Sequence, residues 1–262
     1  MTDPYLDSLS LREEMPRLAS QARLIYLGLE EFLKRNLNHT INTESIADIG
    51  SGPGILTSLI SKNFPKAKIK GIDRSQEMIK FSQVSNPSIE WILADAKKLP
   101  LDDGSISLLQ YSFFLYHLPN LDEILIEMDR VLQAKGLVFF VEPNTEKNKA
   151  DQPILDLIKE YNRHLSLHTD AVQKAEDFYK NNNYTLIAST DISISAKGSD
   201  NEAVLDYPNI LIGRMAAWSL LSHTGQLLNL RDLYGECLEK YMSKKLNIHE
   251  FSYAVRLYQK SV

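Results

Sequence analysis

Apolar and polar positions alternate in a way that divides the chain into helix-like and strand-like stretches. Across residues 11–36, Leu18, Ala22, Ile25, Leu29 and Phe32 recur at three- and four-residue spacings, which predicts an amphipathic helix begun near Pro16. Short apolar runs bounded by turn residues then predict strands at Ser45–Ile49, Lys68–Ile72, Ile89–Ala94, Ile106–Ser112 and Leu137–Glu142. Helical spacing lies between them over about Gly54–Asn63, Gln76–Gln83 and Leu121–Gln133, with Gly136 expected as a left-handed cap after the third.

Beyond Pro143 the rhythm loosens. Residues 151–181 read as helix broken near Leu165–Asp170, Tyr184–Ser195 as a sixth strand and Phe251–Gln259 as a last one. A helical stretch over 201–246, carrying Tyr207, Met215, Trp218, His223, Tyr234, Tyr241 and Met242, is expected as a cap or lid. The expected fold class is therefore α/β: a doubly wound, mostly parallel seven-stranded sheet with helical cap insertions at about 150–180 and 200–246. Residues 1–40 are expected as an N-terminal helical segment and 41–262 as the ligand-binding domain.

Composition narrows the partners. The 262 residues are 44% hydrophobic and 24% charged, as in an ordinary globular chain. A formal net charge of −5 disfavours nucleic acid as the main partner, because phosphate binding wants a basic field. The single Cys237 rules out an internal disulfide framework and a cysteine-rich metal site. An acidic, polar start and the absence of any apolar window near the roughly 18 residues of a membrane span lead to the expectation of a cytoplasmic protein without membrane contact.

The sharpest chemistry lies in Ile46–Gly54, IADIGSGPG. Asp48 closes a strand, and Gly50, Gly52 and Gly54 follow at alternate positions. Such a turn permits positive φ, lets a ligand approach bare backbone and opens a helix with free N–H groups. Alone it is an ordinary strand-to-helix turn. Asp73 ends the second strand about 20 residues later, where a carboxylate can accept both hydroxyls of a ribose. Asp95 ends the third in LADAKKLPL. Three carboxylates at neighbouring strand ends lie where open α/β sheets bind ligands.

Over Ser45–Asn144 these motifs, with GIDRSQEMI and WILADAKKLPL, resemble the class I (Rossmann-like) S-adenosylmethionine (SAM)-dependent methyltransferases, in particular the small-molecule type. The resemblance implies SAM as cofactor, S-adenosylhomocysteine as product, and transfer of the methyl group to a small-molecule acceptor by direct displacement. It implies that Gly50, Gly52 and Gly54 wrap the methionyl part and that Asp48 orients its amino group. Asp73 would hold the ribose, and Arg74 and Met78 would flank the adenine. Asp95 and the Ala96 amide would meet the adenine edge, and Gln110 would lie beside the transferring methyl. Ser107, where many relatives carry Asp, and Gln133–Gly136, in place of Lys-Pro-Gly-Gly, depart from the pattern. The Gln110-Tyr111-Ser112 end of the fourth strand lacks the signature of nucleobase amino methylation.

Methyl transfer needs alignment and exclusion of water more than a dedicated base. His117, in the loop after the fourth strand, is the candidate catalytic residue, and packing of that loop is its plainer role. Tyr111 and Tyr116 read as pocket or core residues, and Glu142 as a substrate contact or a cap. His164 and His168, spaced i, i+4, lack an obvious third ligand beyond Asp170, so no metal is expected. Arg17, Gln21 and Arg23 read as a solvated helix face or as reaching the SAM carboxylate. The rival readings are a SAM-binding module without activity, a protein methyltransferase, and an NAD-dependent oxidoreductase. The last would want a third glycine at position 55, which is Ile55.

Overall fold

The structure, a computed structural model, describes residues 11–37, 43–118, 120–150, 152–164, 167–194 and 248–262. The helices are α1 (Leu11–Asn36), α2 (Ile55–Ser61), α3 (Gln76–Ser85), α4 (Leu121–Val131), α5 (Gln152–His164) and α6 (Ala171–Asn181). The strands are β1 (Ser45–Ile49), β2 (Lys68–Asp73), β3 (Glu90–Leu93), β4 (Ile106–Ser112) and β5 (Leu132–Pro143), then β6 (Lys149–Ala150), β7 (Tyr184–Ile194) and β8 (Ile248–Lys260). The helical insertion expected over 200–246, with His223, lies outside the described residues.

These elements fall in two compact units. One takes the described residues within Met1–Leu24, Asn144–Leu167 and Ser193–Ser252, and the other those within Ile25–Pro143, His168–Ile192 and Tyr253–Val262. In the larger unit the strand order is β3-β2-β1-β4-β5-β8, and β7 also pairs with β8. The pairs from β3 through β5 are parallel, and β8 runs antiparallel to β5. This is the expected mostly parallel α/β sheet. In the smaller unit, β6 pairs antiparallel with the first residues of β8, and α5 belongs to it.

Parallel strands covered on both faces read as nearly continuous apolar runs, and β4 is such a strand, buried from Ile106 to Tyr111. One face of the sheet packs Ala47, Ile49, Leu109, Tyr111, Val138 and Phe140 against α4 and α6. The other receives α1 through Phe32, whose ring is 6.0 Å from Phe139, and α2 and α3 nearer the β3 edge. There Ile79 of α3 and Ile89 cluster with Trp91. The chain is thus doubly wound in this unit.

At the foot of the sheet, Ser107 takes up its departure from the family pattern. Its Oγ donates to the Ser45 carbonyl at 2.7 Å and accepts the Ser45 N–H at 3.0 Å. The Ser45 hydroxyl in turn accepts the Ser107 N–H at 3.1 Å. A hydroxyl on each strand staples β1 to β4 without a charge.

Two expectations fail locally. α1 begins at Leu11 with Pro16 inside it, so the proline costs one backbone bond to the preceding turn without starting the helix. After α4, which ends at Val131 and not Gln133, the left-handed residue is Lys135 (φ 61°) and not Gly136. Gly136 is needed for closeness instead, since a Cβ there would sit 2.8 Å from the Gln133 carbonyl oxygen. No described helix is long and apolar enough to cross a membrane.

Candidate functional site

The strand order reverses between β1 and β4, because β2 and β3 extend one way and β5 and β8 the other. The crevice at the carboxyl ends of these two strands is the ligand position of an open α/β sheet. The glycine turn stands there. Gly50, Gly52 and Gly54 all take left-handed φ, at 70°, 53° and 69°, a region that costs other residues roughly 1–2 kcal/mol.

Each glycine answers to a different neighbour. A Cβ on Gly50 would collide with the Phe114 ring, and one on Gly54 with the Trp91 indole. Among the described residues a Cβ on Gly52 would meet nothing within 4 Å, so this part of the turn faces open space there. The turn is held by its own hydrogen bonds. Gly50 and Ser51 N–H both donate to the Ile72 carbonyl, at 2.8 and 3.0 Å, and Gly54 N–H donates to Ser51 O at 3.0 Å.

Asp73 ends β2 and ties this turn to the next helix. Its Oδ2 accepts the Gly52 N–H at 2.8 Å, and its Oδ1 accepts the Ser75 N–H at 2.8 Å. Ser75 in turn caps α3 by accepting the Met78 N–H. Ser82 of α3 closes the circuit, donating to the Gly52 carbonyl at 3.2 Å and to Met78 O at 2.9 Å.

Asp48 is buried at 4% exposure, and its Oδ2 accepts a short hydrogen bond from the Thr57 hydroxyl of α2. Burial pushes its carboxyl up to about 7, further raised by the Asp73 charge and eased by Thr57 and the nearby Gln110 amide. Gln110 pairs with Asp48 across β1 and β4 and is 1% exposed. Close as it is, its Nε2 makes no regular hydrogen bond among the described residues, and the same holds for the buried Oγ atoms of Ser51 and Ser112. Gln110 and Ser112 share a face of β4, two residues apart. Donors that would cost about 1–3 kcal/mol each to leave unsatisfied thus cluster by sequence and pairing at the crevice.

The other candidates spread around this centre. Met78 is buried on α3, whereas Arg74 is exposed. Asp95 is exposed and turns its Oδ1 back to the Lys97 N–H at 2.9 Å, and Ala96 beside it is half-buried. Ala94 N–H donates to Asp73 O at 3.1 Å, which keeps the ends of β2 and β3 level. His117 lies in a single 3-10 turn, Leu115–His117, exposed, with its ring edge-on to Tyr116.

That turn is fixed by Glu142, the fully buried carboxylate at the end of β5. Its Oε1 accepts the N–H groups of Phe114 and Leu115 at 2.8 and 2.9 Å, and its Oε2 that of Tyr116 at 3.4 Å. Burial pushes its carboxyl up to about 7 against the easing effect of these three donors. Of the two roles open to Glu142, the cap is the one its contacts describe.

Other readings resolve more simply. Tyr111 is fully buried and hydrogen-bonded to Tyr179 at 3.2 Å, a core role. Arg17 and Gln21, buried at 7% and 8% exposure, bond to each other at 2.6 Å and so do not lie on a solvated face; Arg23 is exposed. His168 Nδ1 lies 3.5 Å from Asp170 Oδ1. Among the described residues no group of three or more His, Cys, Asp or Glu could hold a metal ion.

Sequence reasoning passed over Thr57, Trp91 and Phe114. Trp91 and Phe114 were apolar positions like any other in the pattern. Only the glycines they cover, far away along the chain, hinted that something large must approach.

Residues 47–140 match the family model described as a methyltransferase domain. A demethylmenaquinone methyltransferase of Chlorobaculum tepidum is 32% identical over 103 residues, 39% of this chain and 42% of that protein. An uncharacterized 37.1 kDa protein of a Streptomyces fradiae transposon is 35% identical over 127 residues, 47% of this chain and 37% of that protein. The chain thus spans less than half the length of these relatives. Among solved structures, a putative methyltransferase from Bacillus halodurans superposes with a TM-score of 0.59 at 14% identity, covering 89% of this chain and 99% of that one. A putative sarcosine dimethylglycine methyltransferase from Galdieria sulphuraria gives 0.57 at 13%, covering 91% and 85%.

Proposed function

We propose that this chain, which has the class I SAM-dependent methyltransferase fold and matches a methyltransferase domain over residues 47–140, is an enzyme that moves the methyl group of SAM to a small-molecule acceptor. The observation that carries the reading is a glycine turn whose Gly52 faces open space among the described residues, beside three buried polar atoms that make no regular hydrogen bond there, Ser51 Oγ, Ser112 Oγ and Gln110 Nε2. Those features fit a polar, extended ligand laid against the backbone at the β1/β4 switch. The matched relatives carrying methyltransferase names, one for demethylmenaquinone, support a small-molecule acceptor.

In this reading Gly50, Gly52 and Gly54 shape the turn that holds the ligand, with Gly52 on its open side, and Gln110 and Ser112 supply donors at the end of β4. Asp48 offers its second oxygen to an ammonium group, an approach that would lower its raised carboxyl. Asp73, at the carboxyl end of β2, accepts ribose hydroxyls. Arg74, Met78, Asp95 and Ala96 border the base. Bound SAM supplies a methyl group already activated on a sulfonium. The protein's own share is to hold the acceptor in line and exclude water, which suffices for a displacement of this kind. In the same reading His117, exposed on the turn after β4, takes a proton from an acceptor that carries one.

A cytoplasmic location and no nucleic-acid partner belong to the same proposal, supported by the net charge of −5 and the single cysteine. Titration calorimetry with SAM and S-adenosylhomocysteine tests it. Wild-type protein is expected to bind both and Asp73→Ala to bind at least tenfold more weakly. NAD(H) binding in place of SAM, or unchanged affinity in the variant, refutes the assignment.

A further inference from the structure

Glu142 is a buried carboxylate that the methyl-transfer reading does not use. Three consecutive N–H groups point at it, yet it stands on β5 and they stand in the turn after β4. Phe113, just before those three residues, is held at φ 54° with its N–H on the Val141 carbonyl at 2.9 Å. A phenylalanine in the left-handed region is strained by about 1–3 kcal/mol and persists only where its surroundings fix it. What fixes it here is the Glu142 carboxylate on one side and the edge-on Tyr253 ring, 5.2 Å away, on the other.

The outcome of this strained turn is the position of Phe114. Its ring lies on Gly50, where any Cβ would collide with it, and its centroid is 6.5 Å from that of Tyr111 in an edge-to-face contact. One wall of the glycine turn is therefore delivered by a loop whose shape depends on β5.

We propose that Glu142 is a positioning residue. By accepting the N–H groups of Phe114, Leu115 and Tyr116, it locks the turn after β4 in the form that sets Phe114 against Gly50 and completes the cofactor seat. This rests on the SAM-binding reading above. A carboxylate suits the task better than an amide, since both its oxygens accept and neither donates. Gln at 142 would turn an N–H₂ toward one of the three N–H groups, replacing an attraction by a repulsion while preserving volume.

The test compares the 262-residue wild-type chain, Glu142→Gln and Phe114→Ala at pH 8. Readouts are amide exchange at residues 114–116, S-adenosylhomocysteine affinity by calorimetry, and melting temperature. In Glu142→Gln, exchange at these amides is expected to quicken at least tenfold and affinity to weaken at least fivefold. Its melting temperature should hold or rise, because an ionised buried group has been removed; a merely structural role would move affinity and melting temperature down together. Phe114→Ala should lose affinity by a similar factor with exchange at 115 and 116 within twofold of wild type. Should Glu142→Gln fail to fold, the Phe114→Ala binding result decides. Affinity within twofold of wild type in either variant overturns the proposal. Wild-type protein that binds no S-adenosylhomocysteine overturns the cofactor reading and, separately recognisable, this inference with it.

Discussion

At Asp48 burial drives the carboxyl toward neutrality, while the Thr57 hydroxyl supports its charge from α2. Replacing Thr57 by Val keeps the shape and deletes the donor. Unfolding by urea should then show a loss of about 1–3 kcal/mol, the cost of an unsatisfied buried acceptor, and the carboxyl carbon of Asp48 should titrate higher by NMR. The glycines offer a sharper contrast. Gly52→Ala meets no atom of the described residues within 4 Å and carries the left-handed strain of about 1–2 kcal/mol, yet it fills the open side of the turn. It should fold and lose SAM affinity at least tenfold. Gly54→Ala adds a collision with Trp91 to the same strain, so its melting temperature should fall well below that of Gly52→Ala. The places of Asp48 and Asp73 at the ends of β1 and β2 were legible in the sequence because each is a charge at the end of an apolar run, whereas β3 stops at Leu93, two residues before the Asp95 expected to end it. Thr57 was not legible, because a threonine one turn into a helix looks alike with or without a buried partner.

Among the elements, β3 and α3 form the edge that carries Asp73's neighbours, and Trp91 holds them together. Its ring lies over Gly54 and Gly71, and its Nε1–H donates to the Asn86 carbonyl at 2.8 Å. Trp91→Ala opens a cavity between β2, β3 and the start of α2. Chemical denaturation should report a loss of about 3–5 kcal/mol, with amide exchange quickening first across residues 86–93. The strands at Ser45–Ile49 and Ile106–Ser112 were readable to the residue, since both are short apolar runs between unmistakable breaks. The turn at Gln133–Gly136 misled because glycine after a helix usually signals a left-handed cap. Here the space beside Gln133 O, not the dihedral angle, demands it. Pro16 misled likewise, since prolines favour first turns but tolerate interiors at a cost.

For the molecule as a whole, the two buried acids tilt stability with pH. Asp48 is raised from 3.8 and Glu142 from 4.5, both to about 7. An acid whose folded-state value is raised keeps its proton longer in the native than in the unfolded protein. Its favourable contribution is complete below the unfolded value and declines as pH climbs through the folded one. Melting temperature should therefore fall between about pH 4.5 and 7.5, a change on the order of a few kcal/mol in all, and Glu142→Gln should flatten part of that slope in a calorimetric series. The parallel sheet and its ligand end were visible from the strand–helix rhythm. The division into two compact units was not, because segments near residues 20, 150 and 250 that share a unit are distant in sequence and carry no common motif.

The Asp73 carboxylate, bonded at once to Gly52 N–H and Ser75 N–H, makes the usual mutational test of a ribose contact a sum of two quantities. Removing it slackens the frame and deletes a ligand partner together. A thermodynamic cycle separates them: wild type and Asp73→Asn, each titrated with S-adenosylhomocysteine and with its 2′,3′-dideoxy analogue. The affinity that Asp73→Asn still forfeits toward the analogue measures the frame alone. The remainder, expected to be the larger share at about 1.5–3 kcal/mol for hydrogen bonds to a charged acceptor, belongs to the sugar.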